Sequence, residues 1–494
     1  MMLAITLVDE GGLVRTSDPI ASATPARVPR RAPADLPFSF ATAELAARIA
    51  AERGEPDWLR DERLAAAGAF AAMSTESNQL YTPYIDLRAA DLNTAEPWIV
   101  TAAAPAPAPA SAAAAEPLPD GVDGLIDLRE DTVLAITLSG AATAAGVTLE
   151  TFAAALARDA AGFRSDLEGG STLPAGDRLA QLARGFWTQG VRLVVPDGVH
   201  LERPILVRWR SGNPDRALIT RTLIRLGAGA EASLVEEQVP SGADVSCSEG
   251  QTVPQGLFHG TTEVVLGAGA RLAVASIQDL GPRQVAFQHR FARIGEGASL
   301  RWAMAQLGAR LVRSRVDNRL EGDRSSVEQV EIVFGSDEQL FDLTSYTTHI
   351  GRDTTGNLLS KGALLDRARS YMKGLITIDK SAVGTDSFLG EFGMNLSKAT
   401  RAVAIPSLEI DQPDCRRAAH SSSVGPIDPA QLFYLESRGI APDEARKFIV
   451  LGFLEPVVAR VPLEAAQERL RELLDQKWAV GHPAQSTGAA GAAA

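Results

Sequence analysis

Two hydrophobic patterns divide the chain. Apolar residues recur at helical spacing from Phe40 to Met73, and again from Pro429 onward. Between residues 191 and about 408 the helical period gives way to short runs of alternating apolar and polar residues, separated by glycine. The pattern therefore predicts a mainly β centre flanked by helical regions at both ends.

Glycine turns repeat within the β-rich part. LGAGA occurs at residues 226–230 and 266–270, IGEGA at 294–298, and a degraded LEGDR at 320–324, each before an alternating run. The repeats are about 25 to 40 residues apart, which suits a solenoid whose glycines supply the positive-φ turns between faces. We therefore predict a right-handed parallel β-helix. Since an open solenoid end exposes unpaired backbone groups, we expect the flanking helical regions to cap both ends.

The domain boundaries follow from these changes of pattern. Segments rich in Ala, Pro and Gly without periodicity cannot bury a core, so they are predicted to be disordered or to be linkers. The predicted order is a disordered lead-in at 1–35, an N-terminal helical or α/β region at 36–190 with an Ala/Pro linker at 101–121, the β-helix at 191–408, a C-terminal helical domain at 409–480, and a disordered tail at 481–494.

Composition narrows the possible partners. A net charge of −13 argues against general binding to nucleic acid, which usually requires a basic face. No run of 18 apolar residues and no basic leader occur, so we expect no membrane span and a cytoplasmic location. The two cysteines, Cys247 and Cys415, form no CxxC pair, which excludes a disulfide framework and a structural zinc site. An iron–sulfur cluster would need histidine, carboxylate or partner ligands.

The segment from Pro406 to Val461 carries the densest motif. Its part VGPIDPAQLFYLESRGI, residues 424–440, places Asp428 as the N-cap of a helix that Gly439 closes. A second helix is predicted from Pro442, with Phe448, Ile449, Gly452 and Phe453 on one face. This segment resembles the C-terminal signature of the SufB/SufD family of iron–sulfur cluster assembly proteins. Segments at 191–207, 221–237, 314–322, 338–349 and 360–379 resemble the coils of its β-helix.

The resemblance implies a subunit of a SUF complex and no enzyme activity of its own. In that family a SufB–SufD pair of β-helices binds two copies of the ATPase SufC through C-terminal helices. The chain has no GxxxxGK[ST] loop, in agreement with nucleotide binding by SufC. A homodimer is the alternative when SufB is missing. The residues that the resemblance assigns to partner docking are Asp428, Leu432, Phe433, Tyr434, Arg438, Gly439, Glu444, Ala445, Gly452 and Phe453.

Two positions favour the SufD branch of the family. The stretch LGEFGMNLS, where SufB has a cysteine for the nascent cluster, offers only Glu391 or Phe392 here. The interface histidine of SufD matches His420 in AAHSSSVG, although Ala418 stands where many SufD sequences have cysteine. Cys415 is a weaker candidate, because in an extended strand it would face away from His420. The resemblance implies no firmly bound cofactor; iron or a nascent cluster would be shared with SufB.

Alternative interpretations remain open at this point. A SufB-type scaffold would hold the cluster itself, and β-helices also occur in polysaccharide-active enzymes. Carboxylate pairs can serve as acid and base in such enzymes, but isolated pairs on β-coils are expected to face solvent. Residues expected to be structural or solvent-facing are His200, His259, His289, His349, Lys361, Asp366, Arg369 and the pairs Glu236/Glu237 and Glu328/Glu331.

Overall fold

A computed structural model describes residues 36–98 apart from 37, 77, 79 and 85, and residues 118–170, 173–242 and 254–481. The predicted lead-in, residues 101–117 of the predicted linker, Cys247 and residues 482–494 of the predicted tail lie outside the described residues.

The N-terminal region combines helices with short strands. Thr42 caps the first helix by accepting a hydrogen bond from the Leu45 amide (3.2 Å). The elements are α1 (Ala43–Glu52), α2 (Asp57–Ala72), a 3-10 helix (Thr82–Tyr84), β1 (Glu96–Pro97), β2 (Gly124–Arg129), β3 (Thr132–Leu138), α3 (Gly140–Ala144), β4 (Thr148–Thr151), α4 (Phe152–Arg158), α5 (Ala160–Gly170) and α6 (Arg178–Phe186).

Sixteen strands then alternate between two parallel sheets. They are β5 (Gln189–Val195), β6 (Ile205–Ser211), β7 (Arg216–Leu226), β8 (Glu231–Pro240), β9 (Gly256–Leu266), β10 (Arg271–Gln278), β11 (Gln284–Ile294), β12 (Ser299–Gln306), β13 (Leu311–Leu320), β14 (Ser326–Gly335), β15 (Leu340–His349), β16 (Thr355–Leu364), β17 (Arg369–Ile378), β18 (Asp386–Asn395), β19 (Arg401–Ile410) and β20 (Arg417–Gly425). Odd-numbered strands form the first sheet and even-numbered strands the second, giving a parallel β-solenoid in the described residues. The predicted mainly β solenoid is confirmed.

The repeated glycines act as predicted at the turns. Gly229, Gly269 and Gly297 have φ of +66°, +69° and +62°, a conformation that costs glycine little. In the degraded fourth repeat Arg324 adopts φ +58° instead. The turn geometry is therefore retained in the later coils even where the glycine is lost.

The first sheet packs its outer face against the N-terminal helices. The C-terminal helices are α7 (Pro429–Ser437), α8 (Pro442–Val458) and α9 (Glu464–Gly481), and the outer face of the second sheet packs against α8 and α9. The inner faces of the two sheets enclose a lumen, which is filled mainly by aliphatic and aromatic side chains.

Some of the carboxylates and histidines expected on solvated faces are buried instead. The register places Glu236, Ser276 and Glu331 in one inward-facing column of the second sheet, where both glutamates are buried. His349 is buried between Thr354 (2.8 Å) and Ser387 (3.0 Å), and Glu237 is covered by Arg208 (2.7 Å). Because a strand alternates its side chains between two faces, and both faces are covered here, short polar runs do not mark solvent exposure.

The two ends of the solenoid differ. At the first end, the antiparallel strands β3 and β4 finish the two sheets. At the other end β19 and β20 are the terminal strands, and their residues are exposed or half-buried. The expected helical cap is therefore missing there among the described residues, because the C-terminal helices lie on the outer face of the second sheet. The strands also run on to Gly425, beyond the predicted limit of 408.

No helix within the described ranges is both long enough and apolar enough to cross a membrane.

Candidate functional site

The terminal strands β19 and β20 together form what we call the open end. Each pairs with a strand on one side only, β17 and β18 respectively, within the described residues. A strand at the edge of a sheet presents a row of unpaired N–H and C=O groups that can bind another strand. Pro406 interrupts the donors of β19, as proline does at edge positions.

His420 lies on the lumen side of this open end. It pairs in register with Leu389 of β18, which is buried in the lumen. Since paired residues of parallel strands point to the same face, the imidazole continues an inward-facing column, yet it is exposed because no further coil covers it. Ser421, the next residue along β20, belongs to the outward-facing column.

Cys415 precedes β20 and is half-buried against the cluster that contains Leu389 and Ile378. The chain bends before Arg417, where β20 begins, so Cys415 and His420 do not lie on one continuous strand. The alternation of side chains along a strand therefore does not determine whether the two residues face the same way. The described residues contain no group of three or more His, Cys, Asp or Glu side chains suited to hold a metal ion.

Glu391 lies one coil inside the open end. Its Oε2 accepts a hydrogen bond from the Ile405 amide of β19 (2.8 Å), and it pairs in register with Ser422. Burial raises the pKa of this carboxyl to about 8, although the Ile405 amide and Lys373 both act to lower it. Glu391 thus faces the lumen from the same side as His420, whereas its neighbour Phe392 points outward.

The C-terminal helices form the second candidate surface. Asp428 caps α7 as predicted by accepting a hydrogen bond from the Ala430 amide (2.9 Å), and Gly439 ends it at φ +86°. Leu432 is half-buried, and α7 has no buried residue. Arg438 stacks on the Tyr434 ring, 5.3 Å from its centroid.

Three aromatic side chains on α7 and α8 are exposed to solvent. Phe433 is 72% exposed, Tyr434 58% and Phe448 62%. Tyr434 also lines a cleft of about 450 Å³ between α7 and α8. Exposed patches of large apolar side chains are typical of surfaces that bind another protein. Sequence reasoning left Phe448 out of the docking set, although its helical spacing from Gly452 could have included it.

The helix α8 presents two different faces. Glu444 and Gly452 are exposed, and a Cβ on Gly452 would meet open space, whereas Ala445 is buried. Phe453 is half-buried because Lys361 of β16 donates to its carbonyl (3.0 Å) and lies 4.7 Å from its ring centroid. The predicted single face that joins Phe448 to Phe453 is therefore wrong, since Phe453 turns toward the solenoid.

Two lysines fix the C-terminal helices to the solenoid. Lys361 holds α8, and Lys477 of α9 donates to Gln339 Oε1 (2.6 Å) and to the Leu307 carbonyl. Burial lowers the pKa of Lys477 to about 8, while Asp279 and Asp337 act to raise it. Lys361 was expected on a solvated face. Its anchoring role depends on a contact 92 residues away, which local pattern does not reveal.

Comparison with known proteins relates this chain to one family. Residues 209–453, which include the open end and most of α7 and α8, match the family model described as SUF system FeS cluster assembly, SufBD core domain. The chain is 28% identical over 301 residues to iron–sulfur cluster assembly protein SufD of Bacillus subtilis, covering 61% of this chain and 67% of that protein.

Two mycobacterial relatives also match, both described as iron–sulfur cluster assembly SufBD family proteins. That of Mycobacterium tuberculosis is 31% identical over 239 residues, covering 47% of this chain and 60% of its own length. That of Mycobacterium leprae is 26% identical over 301 residues, covering 61% of this chain and 34% of its own length. Both alignments leave a third or more of the relative unmatched.

Proposed function

Because this chain carries the SufBD core domain and belongs to the SufB/SufD family of iron–sulfur cluster assembly proteins, we propose that it is a SufD-like, non-enzymatic subunit of a SUF complex. In this proposal it pairs with a SufB-like paralogue through the open end and binds a SufC-like ATPase through α7 and α8. Iron or a nascent cluster is cargo that the paired subunits share.

The observation that carries the proposal is the open end itself. The two terminal strands each have a free edge, and the end of another solenoid would offer two strands to pair with them. Such pairing would give hydrogen-bond partners to the unpaired backbone groups of both strands together. Ile410 and Val424 are exposed there although their columns face the lumen. A second solenoid placed end to end would cover both side chains.

Among the described residues, His420 is the side chain best placed to bind iron or a nascent cluster shared with the paralogue. Its imidazole is exposed at the lumen side of the last coil, and neutral imidazole is a suitable iron ligand. With too few donors nearby in the described residues to complete a coordination sphere, the paralogue would supply the remaining ligands. Glu391, buried one coil below, supports the backbone of β19 rather than reaching the surface.

The exposed aromatic residues support the second contact. Phe448 lies on α8, which Lys361 attaches to the solenoid. Phe433 and Tyr434 lie on α7, which borders the same cleft as α8. An ATPase bound to α7 and α8 would therefore act on a surface joined firmly to the second sheet. Movement of the ATPase subunits would in this way reach the open end.

Two double variants test the two surfaces separately. Ile410→Lys with Val424→Lys would place charges in the end-to-end contact, and we expect it to abolish binding of the SufB-like paralogue while ATPase binding persists. Phe433→Ser with Phe448→Ser should have the reverse effect. Both contacts are measured by co-purification and by calorimetry. Retention of paralogue binding by the first variant would refute the open end as the pairing surface.

A further inference from the structure

A segment from the N-terminal region crosses the last strands of the first sheet. We call residues 78, 80–84 and 86–88 the arm. Asn78 donates to the Tyr346 hydroxyl of β15 (3.3 Å), and Asp86 lies 3.7 Å from Arg369 of β17. The buried Tyr81 side chain lies against Ser407 of β19. The arm is thus attached to three successive strands, the last of which is the terminal one.

Buried groups hold the arm in place. The Tyr81 ring is 6.0 Å from the Tyr346 ring and 5.7 Å from Lys373 Nζ, and Lys373 forms a buried ion pair with Asp342. Leu87 packs in the core cluster beneath the N-terminal helices. A segment anchored by buried aromatic and charged groups has little freedom to move, so the side chains that it presents outward are held ready for contact.

The arm presents two large apolar side chains to solvent, one on each side of the buried Tyr81. Leu80 is 52% exposed and Tyr84 is 36% exposed, while Tyr81 between them is buried. Single exposed apolar residues are ordinary on protein surfaces and need no partner. These two differ because they flank a residue in contact with β19, the strand whose free edge forms one side of the open end.

We propose that the arm extends the open end, so that the paralogous solenoid that pairs with β19 and β20 also covers Leu80 and Tyr84. This inference rests on the proposed function, since it takes the partner from it. Strand pairing supplies backbone hydrogen bonds that any edge could make, whereas side-chain contacts give specificity. Contacts with Leu80 and Tyr84 would add side-chain specificity to the backbone pairing.

The test compares two variants with matched exposure. Leu80→Ala with Tyr84→Ala removes the arm contacts, and Leu134→Ala with Ile136→Ala removes side chains that are 45% and 41% exposed on β3, at the opposite end of the solenoid. Affinity for the purified SufB-like paralogue is measured by calorimetry. We expect the dissociation constant of the arm variant to rise about 10-fold to 100-fold, and that of the β3 variant to stay within about 2-fold.

Two further measurements distinguish a variant that has lost paralogue binding from one that is not folded. Circular dichroism and ATPase binding establish that each variant is folded, because neither set of residues lies on α7 or α8. Wild-type affinity retained by the folded arm variant would overturn this inference and leave the proposed pairing intact. Absence of paralogue binding by the wild-type chain would overturn both. An equal loss in the two variants would also contradict the inference, since the β3 end would then contribute as much as the arm.

Discussion

At the scale of single residues, burial inside the solenoid determines what each polar group can do. Sequence reasoning singled out His420 from the motif around it, and its role there stays a prediction. The register places it in an inward-facing column of the second sheet. The same reasoning placed Glu331 and His349 on solvated faces, where the structure buries both. Alternation predicts which residues share a face of a strand, but not whether that face is covered.

Glu391→Gln should change how stability depends on pH. Burial raises the pKa of this carboxyl in the folded chain to about 8, against an ordinary value of 4.5. Between these values the unfolded chain has released a proton that the folded chain keeps, so wild-type stability falls as pH rises, by at most about 1.4 kcal/mol per pH unit, and the loss is complete above the folded pKa. Glutamine cannot ionise, so this loss should disappear, as denaturant titrations at about pH 5 and about pH 8 would reveal.

The control for this prediction is Glu409→Gln, which alters an exposed glutamate on β19. It should leave the pH profile unchanged. Identical profiles for wild type and Glu391→Gln would mean that the buried carboxyl does not titrate in this range.

His420→Ala should separate assembly from folding. The side chain is exposed, so its removal leaves no cavity and the melting temperature should stay within experimental error. Cluster yield of the reconstituted complex, followed by visible absorption, should fall, because the proposed function makes His420 a ligand shared with the paralogue. The matched control is Ser421→Ala, an exposed neighbour that faces outward. Unchanged yield in the histidine variant would reduce this residue to a structural contact.

At the scale of elements, local sequence signals were most reliable where they specify a helix end. The predicted cap at Asp428 and the predicted termination at Gly439 are confirmed, as is the start of α8 at Pro442. The division of α8 into faces was not predictable, because it depends on Lys361 of a strand distant in sequence. Helix periodicity reveals that a helix has faces, and tertiary contacts decide which of them is buried.

Asp428→Ala should weaken binding of the SufC-like ATPase. An N-cap lost to alanine costs about 1 kcal/mol, and α7 has no buried residue to offset the loss, so affinity should fall about 5-fold. The matched control is Thr42→Ala, which removes the cap of α1 in the N-terminal region. Calorimetry of both variants against the ATPase would reveal the difference. Equal effects in the two helices would point to general destabilisation instead of a local role for α7.

At the scale of the whole molecule, the glycine repeats predicted the solenoid because positive-φ turns recur at each coil. The resemblance to the SufB/SufD family, first visible between Pro406 and Val461, is confirmed by the match over residues 209–453. The uncapped end was not predicted. Sequence reasoning assumed that every edge is covered within the chain, whereas β19 and β20 each keep one unpaired edge in the described residues.

The most direct test of the account is the mass and subunit composition of the particle purified when this chain is co-expressed with its host's SufB-like and SufC-like proteins. Light scattering and denaturing mass spectrometry would give both quantities. The account predicts one copy of this chain, one SufB-like subunit and two SufC-like subunits. A homodimer of this chain with the ATPase alone, or no association at all, would contradict it.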